Sequence, residues 1–169
     1  MKKLFLLRHA KSDWQAAYDS DHERPLAKRG VRAARLMGRF LTAIGEPPEA
    51  IVTSSARRAR TTVELAAKAG KWRCPIRVTR NLYDAGPEAV LHEIAGEADV
   101  HESLLVAGHQ PTFSEVASLL VGGGHVAMVT AALVRIDLEI DHWSELDAGD
   151  GILAWSVTPK LLERAGLPR

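Results

Sequence analysis

Three apolar runs in this chain stop abruptly at residues able to hold or attack an anion. Leu4 to Leu7 ends at Arg8-His9, with Ala10, Lys11 and Ser12 next. Ala50 to Thr53 ends at Ser54-Ser55, and Arg57, Arg58 and Arg60 follow closely. Ser103 to Ala107 ends at Gly108-His109. A fourth run, Pro75 to Thr79, leads into Asp84. Guanidinium forks match phosphate oxygens bidentately, and a lone carboxylate would not need so many donors. An imidazole held in one tautomer by a carbonyl keeps its other nitrogen free to attack phosphorus. Arginines and a second histidine would then stabilise charge on the equatorial oxygens in flight.

Such a site needs strands that end together. Leu4 to Leu7 suits a strand buried on both faces, as in a parallel sheet covered by helices, and Ser103 to Ala107 is of the same buried type. Ala50 to Thr53 reads as a short apolar strand, and Pro75 to Thr79 as a strand with β-branched Ile76 and Val78. Between them lie helical patterns. The clearest is Leu26 to Ile44, with apolar residues at three- and four-residue steps and Arg32, Arg35 and Arg39 on the other, solvated face. A second helix, ARRARTTVELAAKAG, follows Ser54-Ser55, either of which can N-cap it. Cations at its start oppose the helix dipole at a cost of about 0.3–1 kcal/mol each, which a buried anion would offset. A weaker helix spans Glu88 to about Gly96, and Pro111 opens another over Thr112 to Leu120. Ala131 to Ile140 and Gly151 to Val157 read as two more strands, and Pro159 to Ala165 as a last helix.

Alternating strands and helices predict a three-layer α/β/α sandwich with a mixed, mainly parallel sheet, whose carboxyl edge collects the ends. The length of 169 residues predicts a single domain over 1–169. The polar loop from Trp14 to Pro25 contributes charges that are expected to be solvated. Trp14 is placed either to cap a core or to roof a pocket.

Composition narrows the function further. Lys and Arg (22) nearly balance Asp and Glu (21), for a formal charge of +1. That leaves no basic excess for nucleic acid, and RRAR has no aromatic stacking platform beside it. Cys74 is the sole cysteine, which excludes an intrachain disulfide and a cysteine-rich metal cluster. His92-Glu93 and His101-Glu102 lack HExxH spacing, so no metal and no cofactor is expected. Gly122-Gly123-Gly124 lacks the Lys-Ser/Thr of a P-loop. With no run long enough for a membrane span and no signal-type h-region, a cytoplasmic location is expected.

LLRHAKS, SSARRARTT and VAGHQP together resemble the histidine phosphatase superfamily, also called phosphoglycerate mutase-like. Arg8, His9 and Ser12 fit its first motif, with Ala10 in place of glycine. Ser54, Arg58, Ala59 and Thr62 fit its Ser-x-x-x-Arg-Ala-x-x-Thr pattern, which favours Arg58 over Arg57 and Arg60. His109 follows a strand and a small residue as the second histidine does. Shortness, RHAKS and ERPLAKRG (Glu23 to Gly30) are similar to the small phosphohistidine phosphatase, SixA-like, branch.

The resemblance implies a metal-independent phosphatase in which His9 is phosphorylated. Arg8, Arg58 and His109 would form the phosphate pocket with Ser12 assisting, and Asp84 is the nearest match to a general acid. Asp84 reads equally well as a turn residue before Gly86-Pro87. The implied partner is a phosphohistidine-bearing protein. The alternatives are a small phosphorylated metabolite and a phosphate-binding module without turnover.

Overall fold

The computed structural model describes residues 1–167, and six strands in it form one sheet. In chain order they are β1 (Lys2–Arg8), β2 (Ala50–Ser54), β3 (Ile76–Thr79), β4 (Ser103–Gly108), β5 (Leu133–Leu138) and β6 (Gly151–Val157). Across the sheet the order is β3-β2-β4-β1-β5-β6. The first four strands run parallel, β5 lies antiparallel to β1, and β6 antiparallel to β5. Five helices cover it: α1 (Lys28–Ala43), α2 (Arg57–Gly70), α3 (Pro87–Ala95), α4 (Thr112–Leu120) and α5 (Pro159–Arg164).

The uninterrupted apolar character of β1 follows from burial on both faces. Phe5 and Leu7 pack with Leu36, Met37 and Leu41 of α1, Val63 of α2 and Leu162 of α5. Leu4 and Leu6 point the other way, to Val90 and Ile94 of α3 and Phe113, Val116 and Leu120 of α4. Each such side chain contributes about 1.5–3 kcal/mol relative to exposure. The two cores make the expected three layers. Among the described residues, no helix is long and apolar enough to cross a membrane.

Topology selects the place where a ligand fits. After β1 the chain enters α1 on one face, and after β4 it enters α4 on the other. β1 and β4 are neighbours, so the crevice of the sheet opens between their carboxyl ends. Gly30 fixes the loop leaving β1. A Cβ there would lie 2.2 Å from the carbonyl oxygen of Lys11, so only glycine lets α1 pack so closely. The Ala27 N–H donates to that same carbonyl at 2.9 Å, and Ser12 bridges to Leu26.

Some local expectations fail for identifiable reasons. Neither Ser54 nor Ser55 caps α2; the N-cap is Ala56, without a side-chain bond. Ser54 still belongs to β2, and its hydroxyl accepts from the Ala56 N–H at 3.3 Å. β5 is shorter than the apolar run Ala131 to Ile140. Ala131 sits in the left-handed region at φ 59°, and its N–H is drawn to the carbonyls of Arg8 and His9. The strand expected over Pro75 to Thr79 is present as β3, an edge strand that is largely exposed.

Candidate active site

The register of the central strands sets the two imidazoles side by side. Arg8 of β1 is level with Gly108 of β4, so the next residues, His9 and His109, leave adjacent strands together. Their ring centroids are 5.2 Å apart. Gly108 is required here, because a Cβ would meet the Phe113 ring at 2.3 Å.

His9 is 8% exposed, and its Nδ1 lies 2.8 Å from the Ala10 carbonyl oxygen. A carbonyl only accepts, so Nδ1 carries the proton and Nε2 keeps its lone pair. Burial pushes the His9 pKa down to about 4, with the Arg58, Arg8 and Arg24 charges adding to it against the Ala10 carbonyl. His109 takes the opposite tautomer. Arg58 Nη2 donates towards its Nδ1 at 3.4 Å, and its Nε2–H donates to the Ser54 hydroxyl at 2.8 Å. Burial, His9 and Arg58 push the His109 pKa down to about 3. Both rings are neutral at pH 7.

Half-buried Arg8 and buried Arg58 flank this pair and are incompletely satisfied. Arg8 Nη1 donates to the Met128 carbonyl at 2.8 Å. Arg58 Nη1 donates to the Asp21 carbonyl at 2.8 Å, and its Nη2 pairs with the Asp21 carboxylate at 3.1 Å. The Nε atoms of both are buried with no protein acceptor. A buried donor left so costs about 1–3 kcal/mol, which an entering oxyanion would offset. Thr62 ties the two halves together: its hydroxyl accepts from the Ala10 N–H at 3.0 Å and donates to the Arg58 carbonyl at 2.6 Å. Arg57 and Arg60 are exposed, and Arg60 pairs with Glu64 at 3.6 Å.

The polar loop supplies residues that pattern reading left in solvent. Arg24 is 5% exposed, donates to the Ser12 hydroxyl, and pairs with Asp21 at 2.8 Å. Its guanidinium lies 3.6 Å from the centroid of Trp14, so Trp14 stacks at the pocket mouth while remaining exposed. Partial desolvation works to raise the Asp21 carboxyl. The Arg24 hydrogen bond and the charges of Arg58 and Arg24 outweigh it and hold it below the usual range. The spacing of Asp21 and Arg24 was the one local signal for this pair.

Arg8, His9, Ser12, Arg58 and His109 line one chamber of about 210 Å³, together with Lys11, Trp14, Arg24, Gln110 and Thr130. Ser12 is in it, with its hydroxyl engaged by Arg24. Asp84 is not. It lines an adjoining chamber of about 270 Å³ that shares Arg58, His109 and Gln110 with the first and has Tyr83, Leu82 and Phe113 in its walls. Asp84 also sits at φ 54°, in the left-handed region that Asp tolerates in turns. Elsewhere, Glu93 binds Arg77 and Asn81, and His101 binds Glu97. Among the described residues, no group of three or more His, Cys, Asp or Glu side chains is placed to hold a metal.

The depressed histidines have a visible consequence. The unfolded chain takes up protons at these histidines below about pH 6.5, whereas the folded rings do so only near 4 and 3. Stability contributed by the pair is therefore full above pH 6.5 and falls as the pH drops towards 4. In ¹H–¹⁵N spectra the His9 ring is expected to titrate near pH 4; a midpoint near 6.5 would contradict the buried, cation-flanked site.

A family model, the histidine phosphatase superfamily (branch 1), matches residues 4–88. The chain belongs to that superfamily. An uncharacterized protein of Mycobacterium tuberculosis is 34% identical over 166 residues, covering 91% of this chain and all of the relative. The candidate phosphohistidine phosphatase SixA of Nakamurella multipartita superposes with a TM-score of 0.79 at 26% identity, covering 94% of this chain and 96% of that one. The protein histidine phosphatase SixA complexed with tungstate gives 0.81 at 24% identity, covering 95% and 99%. The fold is thus phosphoglycerate mutase-like, with SixA proteins among its near structural neighbours.

Proposed function

We propose that this chain is a phosphatase that works through a phosphorylated His9. The observation carrying the reading is the neutral His9 ring, its Nδ1–H bound to Ala10 and its Nε2 free, beside Arg8 and Arg58 with their unsatisfied Nε donors. His9 Nε2 forms a bond to phosphorus as the bond to the leaving atom breaks. Arg8 and Arg58 hold the equatorial oxygens, Arg24 adds positive potential around them, and neutral His109 orients Arg58 Nη2 through its Nδ1. Water then attacks phosphorus on the opposite side. The Nε2–P bond breaks, phosphate departs, and His9 regains its lone pair.

Asp84 lines the chamber next to the phosphate pocket, on the side of Arg58 and His109, and is proposed to protonate or orient the leaving group from there. Asp21 is less suited, since Arg24 and Arg58 hold its carboxyl ionised. A nitrogen leaving group departs with little acid assistance, which fits a donor placed at the edge.

The favoured substrate is phosphohistidine on a protein, for which the likeness to SixA proteins and the open mouth beside exposed Trp14 speak. The adjoining 270 Å³ chamber favours a second reading, a small phosphate ester whose leaving group fits there. The test is turnover of a phosphohistidine-bearing protein beside a panel of small esters, with and without chelator. Chelator-resistant turnover led by phosphohistidine is expected. Turnover confined to one ester would replace the substrate, and binding of phosphate without turnover of anything would overturn the enzyme reading.

A further inference from the structure

A second cleft, of about 650 Å³, continues from the phosphate chamber. Lys11 and Thr130 line both. Beyond them its walls carry Arg29 and Arg32 of α1 and Lys160 of α5, with apolar Val129 and Pro159 between. Glu163 is the one acid among the lining residues. The whole chain has a formal charge of +1, so four cations around one cleft are a marked local excess. Among the described residues the side chains of Lys11, Arg29, Arg32 and Lys160 have no hydrogen bond or ion pair. Arg29 and Arg32 also stand near the start of α1, whose first turn has no acid, against the preference set by the helix dipole. A solvated face explains each cation alone. It does not explain their convergence on a groove that opens into the site.

We propose that this groove binds an acidic stretch of the protein substrate, adjacent in its chain to the phosphorylated histidine. The proposal rests on the phosphoprotein reading above and deepens it. The groove has about three times the volume of the phosphate chamber. Its cations come from the loop after β1, from α1 and from α5, an arrangement suited to successive carboxylates along an extended segment. A single compact phosphate would need them gathered on one point. Val129 and Pro159 offer apolar contact to the backbone and stems between those charges.

The test compares wild type with Arg29→Ala/Arg32→Ala/Lys160→Ala, none of which belongs to the phosphate site. Substrates are phosphohistidine peptides with Glu/Asp-rich or Ser/Gly flanks, and free phosphoramidate. Wild type is expected to favour the acidic peptide by about tenfold in kcat/KM, with a preference that fades as salt rises. The triple variant should lose that preference through KM, while phosphoramidate turnover is unchanged. A preference retained by the variant, or absent from wild type, would overturn the proposal.

A second arm does not depend on turnover. Fluorescence anisotropy of a labelled, unphosphorylated Glu-rich peptide should report binding to wild type and loss in the variant. Equal binding by both, or tighter binding of oligo-dT or phosphatidylserine vesicles than of the peptide, would overturn the proposal. If wild type turned over no substrate while this arm succeeded, the catalytic reading would fail and the acidic-segment groove would stand.

Discussion

His9→Ala is expected to lower kcat for every substrate by on the order of 10⁴-fold or more, the scale of loss when a covalent nucleophile is removed. The loss should fall on kcat and leave oxyanion affinity close to wild type. Arg8 is held by the Met128 carbonyl and Arg58 by Asp21, so neither depends on the His9 ring for its position. A tungstate titration followed by calorimetry would check this beside the kinetics. Residual activity within tenfold of wild type would mean that water attacks directly in the same pocket. The unreactive variant should also gain stability at acid pH, because it no longer buries an imidazole that resists protonation.

Arg58→Ala should cost about 10²–10³-fold in kcat/KM, the usual loss when one donor to a developing anionic charge is removed. Here oxyanion affinity should fall as well, since Arg58 supplies a buried Nε–H with no other acceptor. Arg58→Lys is not expected to restore activity. An ammonium is a point charge and cannot both keep the Asp21 carbonyl and carboxylate and reach an oxyanion as the fork can. Arg58→Ala also removes a charge that, after burial and His9, holds the His109 pKa down, so that pKa should rise from about 3 in the alanine variant. Near-wild-type turnover by the lysine variant would show that charge alone suffices.

The parts of the site that could be read from sequence are those encoded by strand ends. His9 and His109 follow apolar runs, and parallel pairing with Arg8 level to Gly108 turns that linear pattern into two adjacent rings. Arg58 stood out from Arg57 and Arg60 through its place in the Ser54-to-Thr62 pattern. The structure supplies the cause: Thr62 bonds both the Ala10 N–H and the Arg58 carbonyl, so the helix is latched to the end of β1.

Arg24 and Asp21 were not legible in the same way. They lie in a polar loop whose burial is decided by the Ser12–Leu26 bridge and by Gly30 packing on Lys11, contacts that no local periodicity encodes. Arg24 is a surface residue by composition and a buried one by tertiary placement. Likewise Ser54 has the type and position of a helix cap. It is instead taken by His109, because β2 and β4 end side by side.

In the proposed reaction phosphorus passes through His9 Nε2. Wild type mixed with phosphoramidate, quenched in alkali within milliseconds and digested, should give one phosphoryl group on the peptide containing His9, stable to base and lost in acid. The label should appear before phosphate is released and be absent from His9→Ala. Release of phosphate with no phosphorylated enzyme at the earliest times, or a label carried by any other residue, would rule out His9 as the nucleophile.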